Sequence, residues 1–135
     1  MDMSTGRFLP ESRFIMTKET IDMVLAFRDD RNWKQFHTPK DLALSLTLEA
    51  AELLEVFQWS GADVSCEGKL PKIREELADV ISYCILMADA CHLDMDEIVQ
   101  QKMQKNAEKY PVDLSYGNSA KYTELKTASR GIKEK

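Results

Sequence analysis

Two acidic motifs set in apolar, helix-forming segments constrain this chain more than any other feature. Glu49 is followed at three residues by Glu52, and Glu76 is followed at three residues by Asp79. Residues three or four apart share one face of a helix, so each motif predicts a column of carboxylates. Leucine, isoleucine and valine surround both columns, and carboxylates at the edge of a buried stripe need a cation. The chain is therefore predicted to fold so that two acidic helix faces meet.

A magnesium site is one interpretation of these columns. Magnesium takes oxygen ligands in octahedral geometry, keeps several waters and bridges carboxylates to substrate phosphates. A solvated acidic face is the second interpretation, because such faces are common on helices. A di-iron carboxylate site is the third, and it normally uses Glu-x-x-His motifs. Neither His37 nor His92 lies three residues after a glutamate, which counts against iron.

Helical periodicity over most of the chain predicts an all-α, four-helix bundle-like fold. We expect helices from after Thr17 to near Arg31–Asn32, from Thr38–Pro39 to about Trp59, from Pro71 to before His92, and from Asp94 to near Tyr110–Pro111. Cap residues, and proline in the first turn, mark these starts. Residues 1–16 are expected to be a flexible leader, 17–111 a helical domain and 112–135 a mostly irregular tail.

Composition narrows the class of partner. A net charge of −5 argues against a nucleic-acid polymer, because phosphate backbones bind basic surfaces. A small phosphorylated ligand remains compatible, since local lysines and a bound metal can supply positive charge. No apolar run is long enough to span a membrane. Three cysteines without metal-site spacing indicate reduced thiols, so we expect a cytoplasmic protein.

Two further groups of residues would suit a nucleotide. Lys102, Asn106 and Lys109 are spaced by four and three, and such a stripe would hold a polyphosphate or form a basic solvated face. Trp33 and Trp59 flank the second helix, Tyr83 lies one turn after Asp79, and His37 lies beside a helix start. The rings would stack on a nucleobase or pack in the core, and His37 would orient a ligand or cap the loop. The combination favours a metal-dependent nucleoside-polyphosphate site.

These motifs resemble those of the MazG-like nucleotide pyrophosphohydrolases, particularly the small dCTP pyrophosphatase branch. The segments that carry the resemblance are Trp33 to His37, Glu49 to Leu53, Gln58–Trp59, Glu75 to Val80, Lys102 to Pro111 and Lys121 to Leu125. The resemblance implies an all-α fold that assembles as a homodimer or homotetramer. It also implies magnesium-dependent hydrolysis of a deoxynucleoside triphosphate, of the dCTP or modified dCTP type, to the monophosphate and pyrophosphate.

The resemblance also assigns roles to residues. It implies metal ligation by Glu49, Glu52, Glu76 and Asp79, with Glu49 or Glu52 activating the water; enclosure of base and sugar by Trp33, Trp59 and Tyr83; and phosphate contacts from Lys102, Asn106, Lys109 and Lys121. Two alternatives stay open. One is a pyrophosphohydrolase for another nucleotide such as dUTP, and the other is a helical nucleotide-binding protein without turnover.

Overall fold

The computed structural model describes residues 16–118, and every regular element within that range is a helix. The elements are α1 (Lys18–Asp30), a 3-10 helix (Trp33–Phe36), α2 (Pro39–Glu55), α3 (Leu70–Ala90), α4 (Met95–Lys109) and α5 (Val112–Ser115). The all-α prediction is confirmed. Between residues 16 and 118, no helix combines the length and the apolar character needed to cross a membrane.

Local hydrogen bonds explain where three of the helices begin. The side chains of Thr17, Thr38 and Asp94 each accept a hydrogen bond from the backbone N–H three residues later, at 3.3, 3.1 and 2.9 Å. Each bond satisfies a donor that the first helical turn would otherwise leave unpaired. Pro39 follows Thr38 at the first helical position, where its missing N–H has no cost. The predicted starts of these three helices are therefore found.

Helix α2 ends at Glu55, four residues before the predicted end at Trp59. The backbone changes there to turns, because the N–H groups of Phe57 and Gln58 donate to carbonyls three residues back rather than four, at 3.0 Å each. Trp59 follows with 89% of its surface exposed. Since none of the residues from 16 to 118 buries Trp59, no packing within this range holds a further helical turn, and the apolar pattern of the sequence extended the predicted helix too far.

The chain divides into two compact units, Met1–Cys91 and His92–Lys135. In the described part of the second unit, α4 runs from the Asp94 cap to Lys109, just before Pro111. Helix α5 forms a short helical segment, Val112–Ser115, within the stretch predicted to be mostly irregular. The predicted division into leader, domain and tail stays a prediction.

In the first unit, α3 is the central element, because it packs against both α2 and α1. Its side chains Ile85, Leu86 and Ala88 are buried, and Leu42 of α2 is 1% exposed. Two charged residues are buried to the same degree. Arg28 of α1 is 4% exposed and Glu76 of α3 is 8% exposed. Burying charge is unfavourable unless it is paired, so these two residues point to the parts of the unit with functional constraints.

The outer faces of α2 and α3 carry large apolar residues. On α2, Leu44 and Leu48 are 57% and 65% exposed, and they lie one turn apart. On α3, the exposed apolar residues Leu70, Leu77 and Ile81 recur at seven and four residues, which places them on one stripe. We call these two sets the outer apolar stripes.

Candidate active site

The two acidic motifs meet where α2 packs against α3. One carboxylate oxygen from each of Glu49, Glu76 and Asp79 lies within 4.8 Å of the others. Glu49 is half-buried, Glu76 is buried and Asp79 is exposed. The predicted meeting of an acidic face of α2 with an acidic face of α3 is therefore present. We call Glu49, Glu52, Glu76 and Asp79 the acidic cluster.

Positive charge near the acidic cluster is scarce. Among the described residues, the lysine paired with it is Lys72, whose Nζ lies 3.5 Å from Glu76 Oε1 and 3.6 Å from Glu75 Oε2. The side chain of Lys72 is 64% exposed. Ion pairs of this kind in water contribute little, about 0–1 kcal/mol. One solvated ammonium group does not neutralise four carboxylates, so the cluster has the charge of a cation-binding site.

The pKa of Glu52 is raised by repulsion within the acidic cluster. Its interactions with Glu49, and then with Glu76, raise the pKa of Glu52 to about 7. Close carboxylates behave in this way because a second negative charge disfavours ionisation of the first. Glu52 is exposed, and it is not one of the three residues whose oxygens converge within 4.8 Å. It therefore lies beside the convergent group rather than within it.

The oxygen atoms of the cluster fit a hard metal ion. Oε2 of Glu49 and Oε2 of Glu76 are both buried, and neither has a hydrogen-bond partner among the described residues. A buried, unpaired carboxylate oxygen costs free energy that metal coordination recovers. Magnesium prefers carboxylate oxygens as ligands, and one oxygen from each residue of the convergent group lies within 4.8 Å of the others. Glu49, Glu76 and Asp79 could therefore hold such an ion.

A cavity of about 410 Å³ adjoins the acidic cluster. It is formed by α1, the 3-10 helix with His37 directly after it, and α3, and Asp79 belongs both to its wall and to the cluster. The lining residues are Thr20, Met23, Val24, Phe27, Arg28, Trp33, His37, Asp79, Ser82, Tyr83 and Leu86. Three of the predicted substrate-binding residues, Trp33, His37 and Tyr83, therefore share one cavity. We call this space the aromatic cavity.

Aromatic rings form part of the cavity wall. The rings of Phe27 and Trp33 meet edge to face, with centroids 5.7 Å apart and an interplanar angle of 76°. The Arg31 guanidinium lies over the Phe27 ring, 3.6 Å from its centroid, which is a cation–π geometry. Arg31 Nη1 also donates to the Phe27 carbonyl at 2.9 Å. These contacts fix ring positions on which a planar group could stack.

His37 and Arg28 supply polar atoms to this wall. Burial, and then the nearby charge of Arg28, lowers the pKa of His37, so its imidazole is neutral at pH 7. Arg28 donates from Nε to Asp29 at 2.8 Å and from Nη1 to Asp89 at 2.6 Å. The Arg28–Asp89 pair connects α1 to α3. Such a wall can hold a planar, partly polar ligand.

Some residues of the cavity were missed at the sequence level. Arg28, Ser82 and Leu86 were not proposed as site residues, yet all three line it. Leu86 follows Asp79 by seven residues and Ser82 follows it by three, so helical spacing could have placed both on the face of Asp79. Arg28 follows Val24 by four residues, on the apolar stripe of α1. Its place on this apolar stripe is the sequence feature that could have predicted a buried side chain.

The other five predicted site residues are Trp59 in the first unit and four residues of the second unit. Trp59 does not line the aromatic cavity, and its side chain is almost fully exposed after the end of α2. Lys102, Asn106 and Lys109 lie on α4 in the second unit, where Lys102 is exposed and the other two are half-buried. Lys121 lies outside the described residues. The roles assigned to these five residues stay predictions.

Comparison with known proteins finds relatives by both sequence and structure. A model of the MazG-like family matches residues 44–125. The mouse (Mus musculus) protein dCTP pyrophosphatase 1 is 42% identical over 125 residues, which cover 88% of this chain and 71% of that protein. The human (Homo sapiens) dCTP pyrophosphatase 1 is 39% identical over 104 residues, covering 73% and 61%.

A solved structure agrees with these matches. The crystal structure of a pyrophosphatase from Archaeoglobus fulgidus superposes with a TM-score of 0.64 at 41% sequence identity, covering 69% of this chain and 90% of that one. The matched region spans only 61% of the length of the rat (Rattus norvegicus) and human proteins. The family match nevertheless extends over more than half of the 135 residues, and the chain belongs to the MazG-like family.

Proposed function

We propose that this protein is a magnesium-dependent nucleoside triphosphate pyrophosphohydrolase that converts dCTP, or a modified dCTP, to the monophosphate and pyrophosphate. The observation that carries this proposal is that Asp79 belongs to two adjoining features. One feature is the acidic cluster, whose negative charge is only partly neutralised, and the other is the aromatic cavity, which is of nucleoside size. A nucleotide has the same two parts, because its phosphates need cations and its base needs flat apolar surfaces.

The two features orient the substrate. Phe27, Trp33 and Tyr83 would enclose the base and sugar, so that the triphosphate extends past Asp79 towards the acidic cluster. Carboxylates alone would repel the phosphates, and the substrate therefore requires metal between the two sets of oxygens. Glu49, Glu76 and Asp79 would hold magnesium, and the bound ion would neutralise charge that develops on the phosphate oxygens. Lys102, Asn106, Lys109 and Lys121 are the further candidates for phosphate contacts.

Hydrolysis needs a group that takes a proton from water. Glu52 lies beside Glu49 and Glu76 but outside the convergent group, so it is the carboxylate that remains available as the base. In the proposed step the water oxygen forms a bond to the α-phosphorus, its proton passes to a Glu52 oxygen, and the bond from the α-phosphorus to the bridging oxygen breaks. Pyrophosphate leaves with that oxygen.

The preference for dCTP is supported by the relatives named dCTP pyrophosphatase 1, at 38–43% identity. A pyrophosphohydrolase for another nucleotide such as dUTP would use the same acidic cluster and differ only in the cavity. A nucleotide-binding protein without turnover is less well supported, because all four carboxylate positions are filled. A cytoplasmic location and the absence of a nucleic-acid partner stay predictions.

The outer apolar stripes support a homo-oligomer. Five large apolar side chains on α2 and α3, namely Leu44, Leu48, Leu70, Leu77 and Ile81, are between 36% and 65% exposed. Burial of apolar surface against a second copy would stabilise the assembly by about 25 cal/mol per Å². A symmetric dimer pairs one surface with itself, so α2 and α3 of two copies would form the contact. We infer a dimer, or a tetramer built from two dimers.

A product assay tests the proposed reaction. The full chain is incubated with each deoxy- and ribonucleoside triphosphate, with and without magnesium, and pyrophosphate and orthophosphate are measured separately. We expect magnesium-dependent pyrophosphate release that is fastest with dCTP or a 5-substituted form. Orthophosphate as the first product would mean attack at the γ-phosphorus and would contradict the mechanism. Nucleotide binding without any product would support the binding protein instead.

Replacing the proposed base tests the proton transfer. Glu52→Gln should lower kcat by about 100-fold or more, because a general base contributes about that much. Glu55→Gln is the matched control, since Glu55 lies three residues further along α2 and outside the acidic cluster, and its activity should stay near that of the wild type. Circular dichroism establishes that both variants fold. A folded Glu52→Gln variant with wild-type kcat would remove Glu52 from the mechanism.

Metal binding should depend on Glu76 and not on its neighbour. Magnesium should raise the melting temperature of the wild type, because the folded state alone holds the convergent group. Glu76→Gln should abolish this rise, whereas Glu75→Gln, at a position 71% exposed and outside the cluster, should keep it. Thermal unfolding in EDTA and in millimolar magnesium measures both. An undiminished rise in the Glu76→Gln variant would argue against this metal site.

The oligomer prediction is tested by placing charge on an outer stripe. Leu44→Asp should shift the protein to the monomer mass, because a desolvated carboxylate in the contact is unfavourable. Val64→Asp is the control, since Val64 is 89% exposed in the loop before α3 and should not alter the mass. Sedimentation velocity gives the mass of each variant. A monomeric wild type would contradict the inferred assembly.

A further inference from the structure

Arg28 is a buried cation on the wall of an otherwise mostly apolar cavity. It lies in the last turn of α1, on the stripe formed by Ile21, Val24 and Leu25, and it is 4% exposed. Val24 and Phe27, its near neighbours on α1, line the same cavity. A guanidinium group is rarely buried without a specific set of acceptors, because it carries five N–H donors and no acceptor.

The cavity has two polar ends, and Arg28 marks the end away from the metal site. Along α3 the cavity wall runs from Asp79 through Tyr83 to Leu86. Asp89, which holds the Arg28 guanidinium, follows ten residues after Asp79, or about 15 Å along the helix axis. A nucleotide with its phosphates near Asp79 would therefore direct the edge of its base towards Arg28.

The ion pairs of Arg28 leave donors unused. Nε donates to Asp29 and Nη1 donates to Asp89, and no other acceptor of Arg28 is found among the described residues. Nη2, with two N–H groups, thus has no acceptor within residues 16–118. A purely structural role in joining α1 to α3 would explain the two ion pairs. It would not explain the placement of a group with spare donors on the wall of the cavity.

We propose that Arg28 is a specificity-determining residue that donates hydrogen bonds to neighbouring acceptors on the edge of the nucleobase. The proposal rests on the pyrophosphohydrolase function proposed above. Cytosine presents O2 and N3 side by side as acceptors, whereas N3 of uracil and thymine carries a hydrogen that would face the Arg28 donors. Asp89 does not line the cavity and acts as a positioning residue that holds the guanidinium in place. Arg28 therefore favours cytosine over the other pyrimidines.

The first test changes the substrate and leaves the protein intact. Kinetics of the wild type are compared for dCTP and for 3-deaza-2′-deoxycytidine triphosphate, in which a C–H group replaces N3. The proposal predicts that kcat/KM falls about 10- to 100-fold for the analogue, because a hydrogen bond from a charged donor is lost. Equal kcat/KM values for the two substrates would overturn the proposal, and this result needs no variant to fold.

The second test changes the protein. Arg28→Lys keeps a cation for Asp89 but removes the planar set of donors. The variant should lose most of the discrimination between dCTP and the 3-deaza analogue, and also most of that between dCTP and dUTP. Arg74→Lys is the control, because Arg74 is exposed on α3 and does not line the cavity, and its ratios should match the wild type. A merely structural residue would lower activity on all substrates by one common factor, and that result would overturn the proposal.

The proposed function and the role of Arg28 are contradicted by different results. A wild-type protein that releases no pyrophosphate from any nucleoside triphosphate would overturn the proposed function and this proposal together. A wild type that releases pyrophosphate, but is fastest with dTTP or dUTP, would retain the pyrophosphohydrolase reaction and overturn both the dCTP preference and the role of Arg28. A wild type that is fastest with dCTP, but hydrolyses the 3-deaza analogue equally well, would retain the proposed function and overturn only the role of Arg28.

Discussion

The repulsion among four carboxylates between α2 and α3 is the constraint on which the rest of the first unit depends. Glu49, Glu52, Glu76 and Asp79 meet where the two helices pack, and Lys72 alone pairs with them among the residues that the structure describes. Folding must overcome this repulsion with the small apolar core around Leu42 and Ile85. A cation would convert the same contact from unfavourable to favourable. The fold is thus coupled to the ligand that the site requires.

Helix α3 connects this constraint to ligand recognition. Successive turns of one face carry Asp79, then Ser82 and Tyr83, then Leu86, so the polarity of the wall changes along a single rigid element. Helix α1 supplies the opposite wall and is joined to α3 by the Arg28–Asp89 ion pair. The spacing between the proposed metal site and the end of the cavity proposed for the base is therefore set by helix geometry rather than by a loop. That arrangement would keep a substrate in one register.

The sequence predicted the helices and the acidic cluster well, because both depend on local spacing. The caps at Thr17, Thr38 and Asp94 and the three-residue spacing of carboxylates are readable within a few positions. Burial and exposure that depend on residues distant in the sequence could not be predicted. The burial of Arg28 depends on Asp89, which lies 61 residues away. The exposure of Trp59 depends on which elements pack near the end of α2. Periodicity identifies which face of a helix is apolar, but it does not identify which element covers that face.

The most direct test of a single site shared by metal and nucleoside is a crystal structure of the full chain with magnesium and α,β-imido-dCTP, which resists cleavage at the α-phosphorus. The account predicts metal density bounded by Glu49, Glu76 and Asp79, with the base in the aromatic cavity beside Trp33 and its edge towards Arg28. Nucleotide bound with its base outside that cavity, or metal bound away from the three carboxylates, would contradict it.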